Sequence, residues 1–380
     1  MKKLIKGSLL VLGFVAVASL ILCSMQSPAL AKEEKTWKLR GQAAWGMGIK
    51  QLWGATENMA KLIEAYTDGR IKMELHTGGE LVGTLEEYPS AGAGALDFGI
   101  GCPCYAMSRC YALPFYCDSP GNVSATEKIV WLYHGGGLEI FQDLFKKHYN
   151  AVAFPFAIQT AELFLYTNKE IKSLEDVKGL KMRAAGLRAD IMNSLGGSLV
   201  VLGASEVIPA MERGVIDAFE VSNISLGQEV GYLDAAKYLY FTAGKSNHSM
   251  LIIAFNQKKW NSFPKEIQEQ IERALHDNVL WSYAWNREED VVAMMTAIDK
   301  YGCELKIMPD DVMTKFNELA LEHYAKKAKK DPEVARVLKS WEDFAKKWGK
   351  VAPYVDYLDK TDGYFGQMIP YSEMKKRVEK

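Results

Sequence analysis

The sequence predicts an α/β protein whose two similar domains form a clamp around a cleft. Three observations carry this. Apolar patterns of strand and helix period alternate along the chain, which argues for parallel pairing in α/β units. A strand–helix–strand unit occurs twice, ending in "GALDF" (94–98) and "GVIDAF" (214–219). A long helical pattern follows Pro264, and a Lys- and Glu-rich helical tail runs from Asp310 to about Trp348.

The elements follow in order. Lys2, Lys3 and Lys6 precede an apolar stretch from Leu9 to Leu22, and Ala29-Leu30-Ala31 precedes the charged Lys32-Glu33-Glu34-Lys35. That is the order of a secretory signal peptide, with cleavage expected after Ala31; a retained anchor is the alternative. Trp37–Gln42 is a strand. Residues 48–68 are helical through Ile49, Leu52, Met59, Ile63 and Tyr66, stopped by Asp68-Gly69. Ile71, Met73 and Leu75 alternate as a second strand. A helix near 84–92 leads to "GALDFGIG". Residues 150–171 contain a Pro155 break and an apolar strand, a first crossing between domains. Ser173 and Asp176, at capping-box spacing, open a short helix closed by Gly179. A strand at 180–183, a helix at 187–195 and a strand at 200–202 follow, and Ser205 is placed to cap the helix 206–213, which Gly214 closes. A second return comes near 246–260, with its strand at Met250–Phe255. A late strand lies within 303–309.

These elements divide as 1–31 signal peptide, 32–155 plus 247–285 domain I, 156–246 plus 286–330 domain II, and 331–380 C-terminal helical tail. The formal net charge is −1 with acids and bases interspersed, so nothing suggests a nucleic-acid partner or a polybasic membrane patch. No stretch after residue 31 is long and apolar enough to span a bilayer. Five cysteines follow the leader: Cys102, Cys104, Cys110, Cys117 and Cys303. Export permits disulfides. The spacing C-x-C-x5-C-x6-C fits one or two disulfides better than a regular zinc site, and connectivity stays open.

Arg183 raises the functional question. Leu180, Met182 and Ala184 alternate against Lys181 and Arg183, so the arginine stands at the carboxyl end of a strand, where open α/β sheets collect ligands. Its planar fork suits a carboxylate. A salt bridge to an acid of the other domain is the alternative. "HGGG" at 134–137 matches an esterase oxyanion loop, but no G-x-S-x-G elbow accompanies it, and a helix end explains it. "GLRAD" offers Arg188, which on a helix reads as solvated or ion-paired.

The run "SLEDVKGLKMRAAGLRADIMNSLGGSLVVLGASEVIPAMERGVIDAFEVSN" (173–223) resembles the core signature of the TRAP-transporter (tripartite ATP-independent periplasmic) solute-binding proteins, the DctP family. "GGELVGTLEEYPSAGAGALDFGIG", "WLYHGGGLEIFQDLF" and "FNQKKWNSFPKEIQEQIERA" are similar to the family too, and "WLYHGGGLEIF" resembles its 2-oxo acid and lactate-binding subgroup. The resemblance implies a periplasmic protein, not an enzyme. It would capture a small 2-oxo or 2-hydroxy acid through an arginine–carboxylate pair and deliver it to TRAP membrane subunits. A carboxylate sensor module and a secreted hydrolase are the competing readings. The anchoring role falls on Arg183. Trp45 and Tyr105 match positions near the family pocket. No cofactor is required, but a bridging Na⁺ or Ca²⁺ would be held by Gln159, Glu220 and the Val221 carbonyl. Two departures bear on that cation. Val221 stands where the subgroup usually has tryptophan, and "AGKSNHS" (243–249) lacks a glutamate often found there. Some members of the subgroup pair through swapped C-terminal helices, which implies a homodimer; packing of the tail on its own domain is the alternative.

Overall fold

The computed structural model describes residues 35–117, 123–184, 186–200, 202, 206–242 and 248–351. The leader segment 1–31, Val201, Ser205 and the tail beyond 351 lie outside the described residues. Among the described residues no helix is long and apolar enough to cross a membrane.

The chain opens with β1 (Trp37–Ala43), α1 (Lys50–Tyr66) and β2 (Ile71–His76). The stop after α1 is as the sequence predicts. Asp68 and Gly69 both take positive φ, and Gly69 N–H returns to Glu64 O at 2.8 Å. Next come α2 (Glu87–Ala93), β3 (Phe98–Gly101), two 3₁₀ turns at Pro103–Ala106 and Leu113–Tyr116, α3 (Ala125–His134), α4 (Gly137–Tyr149) and β4 (Ala151–Ile158). "HGGG" is a helix boundary, with Gly136 at φ 82° between α3 and α4.

The chain then crosses to a second sheet through β5 (Leu165–Thr167), a 3₁₀ turn at Leu174–Val177 carrying the predicted Ser173–Asp176 capping box, and β6 (Lys181–Arg183). There follow α5 (Gly186–Ser194), β7 (Ser198–Leu199), α6 (Val207–Glu212), β8 (Ala218–Phe219), α7 (Ile224–Glu229), α8 (Tyr232–Ala235) and β9 (Tyr238–Phe241). The return is β10 (Met250–Asn256), α9 (Gln257–Asn261) and α10 (Lys265–Asp299). The chain continues with β11 (Glu304–Ile307), α11 (Asp310–Ala328) and α12 (Pro332–Gly349).

The sheets run β2-β1-β3-β10-β4 and β11-β9-β5-β8-β6-β7. The expectation of purely parallel sheets is corrected. β1 is parallel to β2 and β3, but β10 is antiparallel to both β3 and β4. In the second sheet β5 is antiparallel to β8 and β9. Strands that arrive from the other sheet, rather than over a local helix, enter from the opposite end. Two smaller corrections follow. Pro155 does not break the strand; it lies inside β4, an edge strand, where the register shifts opposite Leu251 and Ile252. The strand expected at 200–202 sits at Ser198–Leu199, although Val200 N–H still reaches Met182 O at 2.9 Å.

The twofold script of the sequence has a structural cause. Asp97 accepts the Arg40 N–H at 2.9 Å through its carboxylate, and Asp217 accepts the Lys181 N–H at 3.2 Å in the same way. In each unit the aspartate of "LDF" or "IDAF" ties the returning strand to its parallel neighbour.

The long helix α10 joins the two halves. Its 35 residues extend over about 52 Å at 1.5 Å per residue. Ile267, Ile271, Ala274 and Leu275 are buried in the core of the first sheet, whereas Ala293 and Ala297 belong to the core of the second. The tail packs on its own chain over 332–349. Trp341 of α12 stacks on Trp131 of α3 at 4.1 Å, and Arg336 pairs with Asp143 of α4 at 2.7 Å.

The expected disulfides are not formed. Cys102, Cys104, Cys110, Cys117 and Cys303 are all free thiols. Sulfurs 102, 104 and 117 meet three ways rather than as a pair, while Cys110 turns to Glu333 and Cys303 to the carbonyls of Leu233 and Ala236.

Candidate functional site

Arg183 ends β6, and the backbone around it aims its side chain. Its Nη1 donates to Glu220 O at 2.8 Å and its Nε to Leu202 O at 3.4 Å. Both acceptors are neutral carbonyls. The side chain is half-buried, and among the described residues no carboxylate pairs with it. The alternative of a salt bridge across the domains is therefore not seen there.

Glu220 follows β8, next to β6. Its N–H donates to Arg183 O at 2.9 Å, so the ladder sets the two residues side by side. Its carboxylate turns inward and accepts from Arg188 Nη1 at 3.2 Å. Arg188 sits on α5 and is buried. It also lies 3.6 Å from the Glu162 carboxylate, donates to Phe164 O at 3.4 Å, and stands over the rings of Phe164 and Phe316. Glu162 in turn accepts from Ser249 Oγ at 2.5 Å. Burial, followed by the Glu220 charge, pushes the Glu162 carboxyl up, with Arg188 and Ser249 opposing. When both acids are ionised, two carboxylates and one guanidinium leave this cluster at −1, beside the +1 of Arg183.

Gln159 lies in the crossing segment after β4. Its N–H donates to Ser249 O at 2.9 Å and its carbonyl meets His248 Nδ1 at 3.1 Å. Its side chain is buried, and the amide Nε2 has no hydrogen-bond partner. Burial, then the Lys128 charge, pulls His248 down to about 4, so it is neutral at pH 7. A chain of contacts thus runs from Gln159 through Ser249, Glu162, Arg188 and Glu220 to Arg183. Val221 follows Glu220 and is half-buried.

Trp45 and Tyr105 are not joined to this chain by hydrogen bonds. Trp45 is buried in the first core, and its indole N–H donates to Thr56 Oγ1 at 3.2 Å. Tyr105 is 39% exposed and packs beside Gly101.

Sequence reasoning missed Glu162, Ser249 and the buried position of Arg188. A signal existed for the last, since Arg188, Ile191 and Leu195 recur at helical spacing on one face. It also missed a buried polar network. Asn223 caps α7 and donates to Thr160 Oγ1 at 2.8 Å and Gln51 Oε1 at 3.4 Å. Gln51 also donates to Ser225, which donates to Asp290 of α10. Burial pushes the Asp290 carboxyl up, opposed by its hydrogen bonds to Ser225 and Thr160. These residues link α1, the crossing segment, α7 and the long helix.

Comparison with known proteins agrees with this architecture. Residues 49–331 match the family model DctP, the bacterial extracellular solute-binding proteins of family 7. A monocarboxylate 2-oxoacid-binding periplasmic protein of Nostoc sp. is 29% identical over 321 residues, covering 83% of this chain and 86% of that protein. A TRAP periplasmic solute-binding protein of Pseudoalteromonas atlantica, solved with bound sodium and pyruvate, superposes with a TM-score of 0.76. It is 26% identical over 88% of this chain and 100% of its own. One of Colwellia psychrerythraea, with bound calcium and pyruvate, gives a TM-score of 0.77 at 26% identity, covering 86% of this chain and 99% of its own.

Proposed function

Because the chain belongs to the DctP family of bacterial extracellular solute-binding proteins, the TRAP-transporter type, we propose that it captures a small 2-oxo or 2-hydroxy monocarboxylate in the periplasm and delivers it to TRAP membrane subunits. The observation that carries this reading is Arg183. Its guanidinium is aimed by two carbonyls and, among the described residues, faces no acid. A half-buried charge so placed is satisfied by a ligand carboxylate, with charge-assisted hydrogen bonds of roughly 1.5–3 kcal/mol each. The ligands named for the Nostoc, P. atlantica and C. psychrerythraea relatives support the substrate class.

Glu220 ties the anion site to an acidic one. Its carbonyl orients Arg183 while its carboxylate belongs to the −1 cluster. The Glu220 carboxylate, the side-chain carbonyl of Gln159 and the carbonyl of Val221 would supply an oxygen donor set suited to Na⁺ or Ca²⁺. Such an ion would supply positive charge beside the bound anion, while anchoring and orientation would remain with Arg183. Nothing in this reading requires a covalent step. Closure of the two halves about the crossing strands and α10 removes the ligand from water and presents the closed form to the membrane subunits.

The test is calorimetry and thermal unfolding with pyruvate, lactate and aromatic acids, with and without a chelator. A ligand at 100 times its dissociation constant should add about 2.7 kcal/mol of stability. Arg183→Met should weaken binding by about 2–5 kcal/mol, roughly 30- to 5,000-fold. Full affinity in that variant would remove Arg183 from the site.

A further inference from the structure

A second cluster is formed by three cysteines that the arginine site does not use. We propose that Cys102, Cys104 and Cys117 form a binding site for a divalent thiophilic cation such as zinc(II), held by three thiolates with a fourth position open. Cys102 directly follows β3. Pro103 starts the 3₁₀ turn that returns Cys104 to it, and Cys117 arrives at the end of the second turn. Cys102 Sγ stands 2.8 Å from Cys117 Sγ and 3.0 Å from Cys104 Sγ. All three sulfurs lie within 4.8 Å of one another. Cys102 and Cys117 are buried, and Cys104 is half-buried, which leaves one side for a fourth ligand. Three zinc-bound thiolates stand about 3.8 Å apart, from Zn–S bonds of about 2.3 Å in tetrahedral geometry. The triangle therefore needs to open by only about 1 Å. A disulfide would use two of the sulfurs and strand the third.

The surroundings are built for thiolates. Lys128 is fully buried, and its ammonium is anchored by the carbonyls of Tyr116 at 2.8 Å, Cys117 at 3.1 Å and His248 at 2.5 Å. The Lys128 ammonium, whose anchors include the Cys117 carbonyl, places one positive charge beside the cluster, and a divalent cation offsets more of the thiolates' charge than a monovalent one. Tyr88 supplies an independent indication. It is 3% exposed and its hydroxyl has no hydrogen-bond partner. That hydroxyl lies where a Cβ on Gly101 would stand 2.7 Å away, one residue before Cys102. The hydroxyl is thus a buried donor without an acceptor, beside the residue that precedes Cys102. Metal-bound thiolates accept such outer hydrogen bonds, which tune the site.

The experiment titrates zinc into the chain, reduced and kept anaerobic, against a chromophoric chelator, and then substitutes cadmium to read the thiolate charge-transfer absorption. One tightly bound equivalent with an absorption fit for three thiolates is expected. Cys102→Ser and Cys117→Ser should weaken zinc by at least about 100-fold, and Tyr88→Phe and Lys128→Met by about 10–100-fold. Cys303→Ser should bind like the parent. Cadmium absorption on the parent chain reads the site even if a cysteine variant misfolds. No uptake by the folded, reduced chain would overturn the proposal, as would uptake unchanged in Cys102→Ser and Cys117→Ser. So would export into zinc-containing medium yielding only a metal-free chain whose mass has lost the two thiol hydrogens of a Cys102–Cys117 bond.

Discussion

Arg183 and Arg188 are five residues apart and have opposite surroundings. Arg183 ends a strand, is half-buried, and is held by two neutral carbonyls. Arg188 is on a helix, buried, and shared by two carboxylates beneath two aromatic rings. The same side-chain chemistry thus serves two ends. One guanidinium is aimed by carbonyls and, among the described residues, meets no carboxylate, as the proposed anchoring role requires. The other lies against two carboxyl groups and holds both in place. Removing the first should cost binding; removing the second should cost stability, because two buried charges would lose their partner.

The comparison is broken most directly by exchanging the losses. Arg188→Met should destabilise the chain by about 3–5 kcal/mol in urea unfolding, while Arg183→Met should stay within about 1 kcal/mol of the parent. Equal losses would mean that both arginines are structural.

A second measurement tests the polar wall behind the cluster. His248 has its folded pKa depressed to about 4, below the unfolded value near 6.5. The unfolded chain therefore binds the proton first. This contribution is intact above pH 6.5 and is lost as pH falls toward 4, about 3 kcal/mol in all. His248→Gln should flatten that part of the pH–stability curve; an unchanged slope would show that His248 titrates freely.

The smallest effect concerns Glu162, whose folded pKa is raised. The native chain takes up this proton first. Stability therefore falls as pH rises from the unfolded carboxylate value through the raised one. Ser249 donates to the charged form. Ser249→Ala should lift the Glu162 titration further and cost about 1 kcal/mol at pH 7. A downward shift of that titration, followed by NMR, would contradict the role given to Ser249.

Much of the molecule was legible along the chain because its cues are local. Asp68-Gly69, the Ser173–Asp176 box and Pro264 mark helix ends whose backbone groups must be satisfied within a few residues. Alternation placed Arg183 at a strand end, and "GALDF" and "GVIDAF" exposed the repeated unit whose aspartates bind neighbouring strands. Strand direction was not legible, since a side-chain period of two is the same for parallel and antiparallel neighbours. The antiparallel entry of β10 and β5 therefore leaves no mark in the periodicity.

Local order along the chain therefore settled the elements, their sequence and the strand-end position of Arg183, because propensity, capping and periodicity act over a few residues. Which groups meet was decided by packing. Glu162, Arg188 and Ser249 come from three separate segments, and three cysteines spread over residues 102–117 converge on one point while Cys110 turns elsewhere. Charge neutralisation and metal coordination depend on distances in space, which sequence separation does not encode.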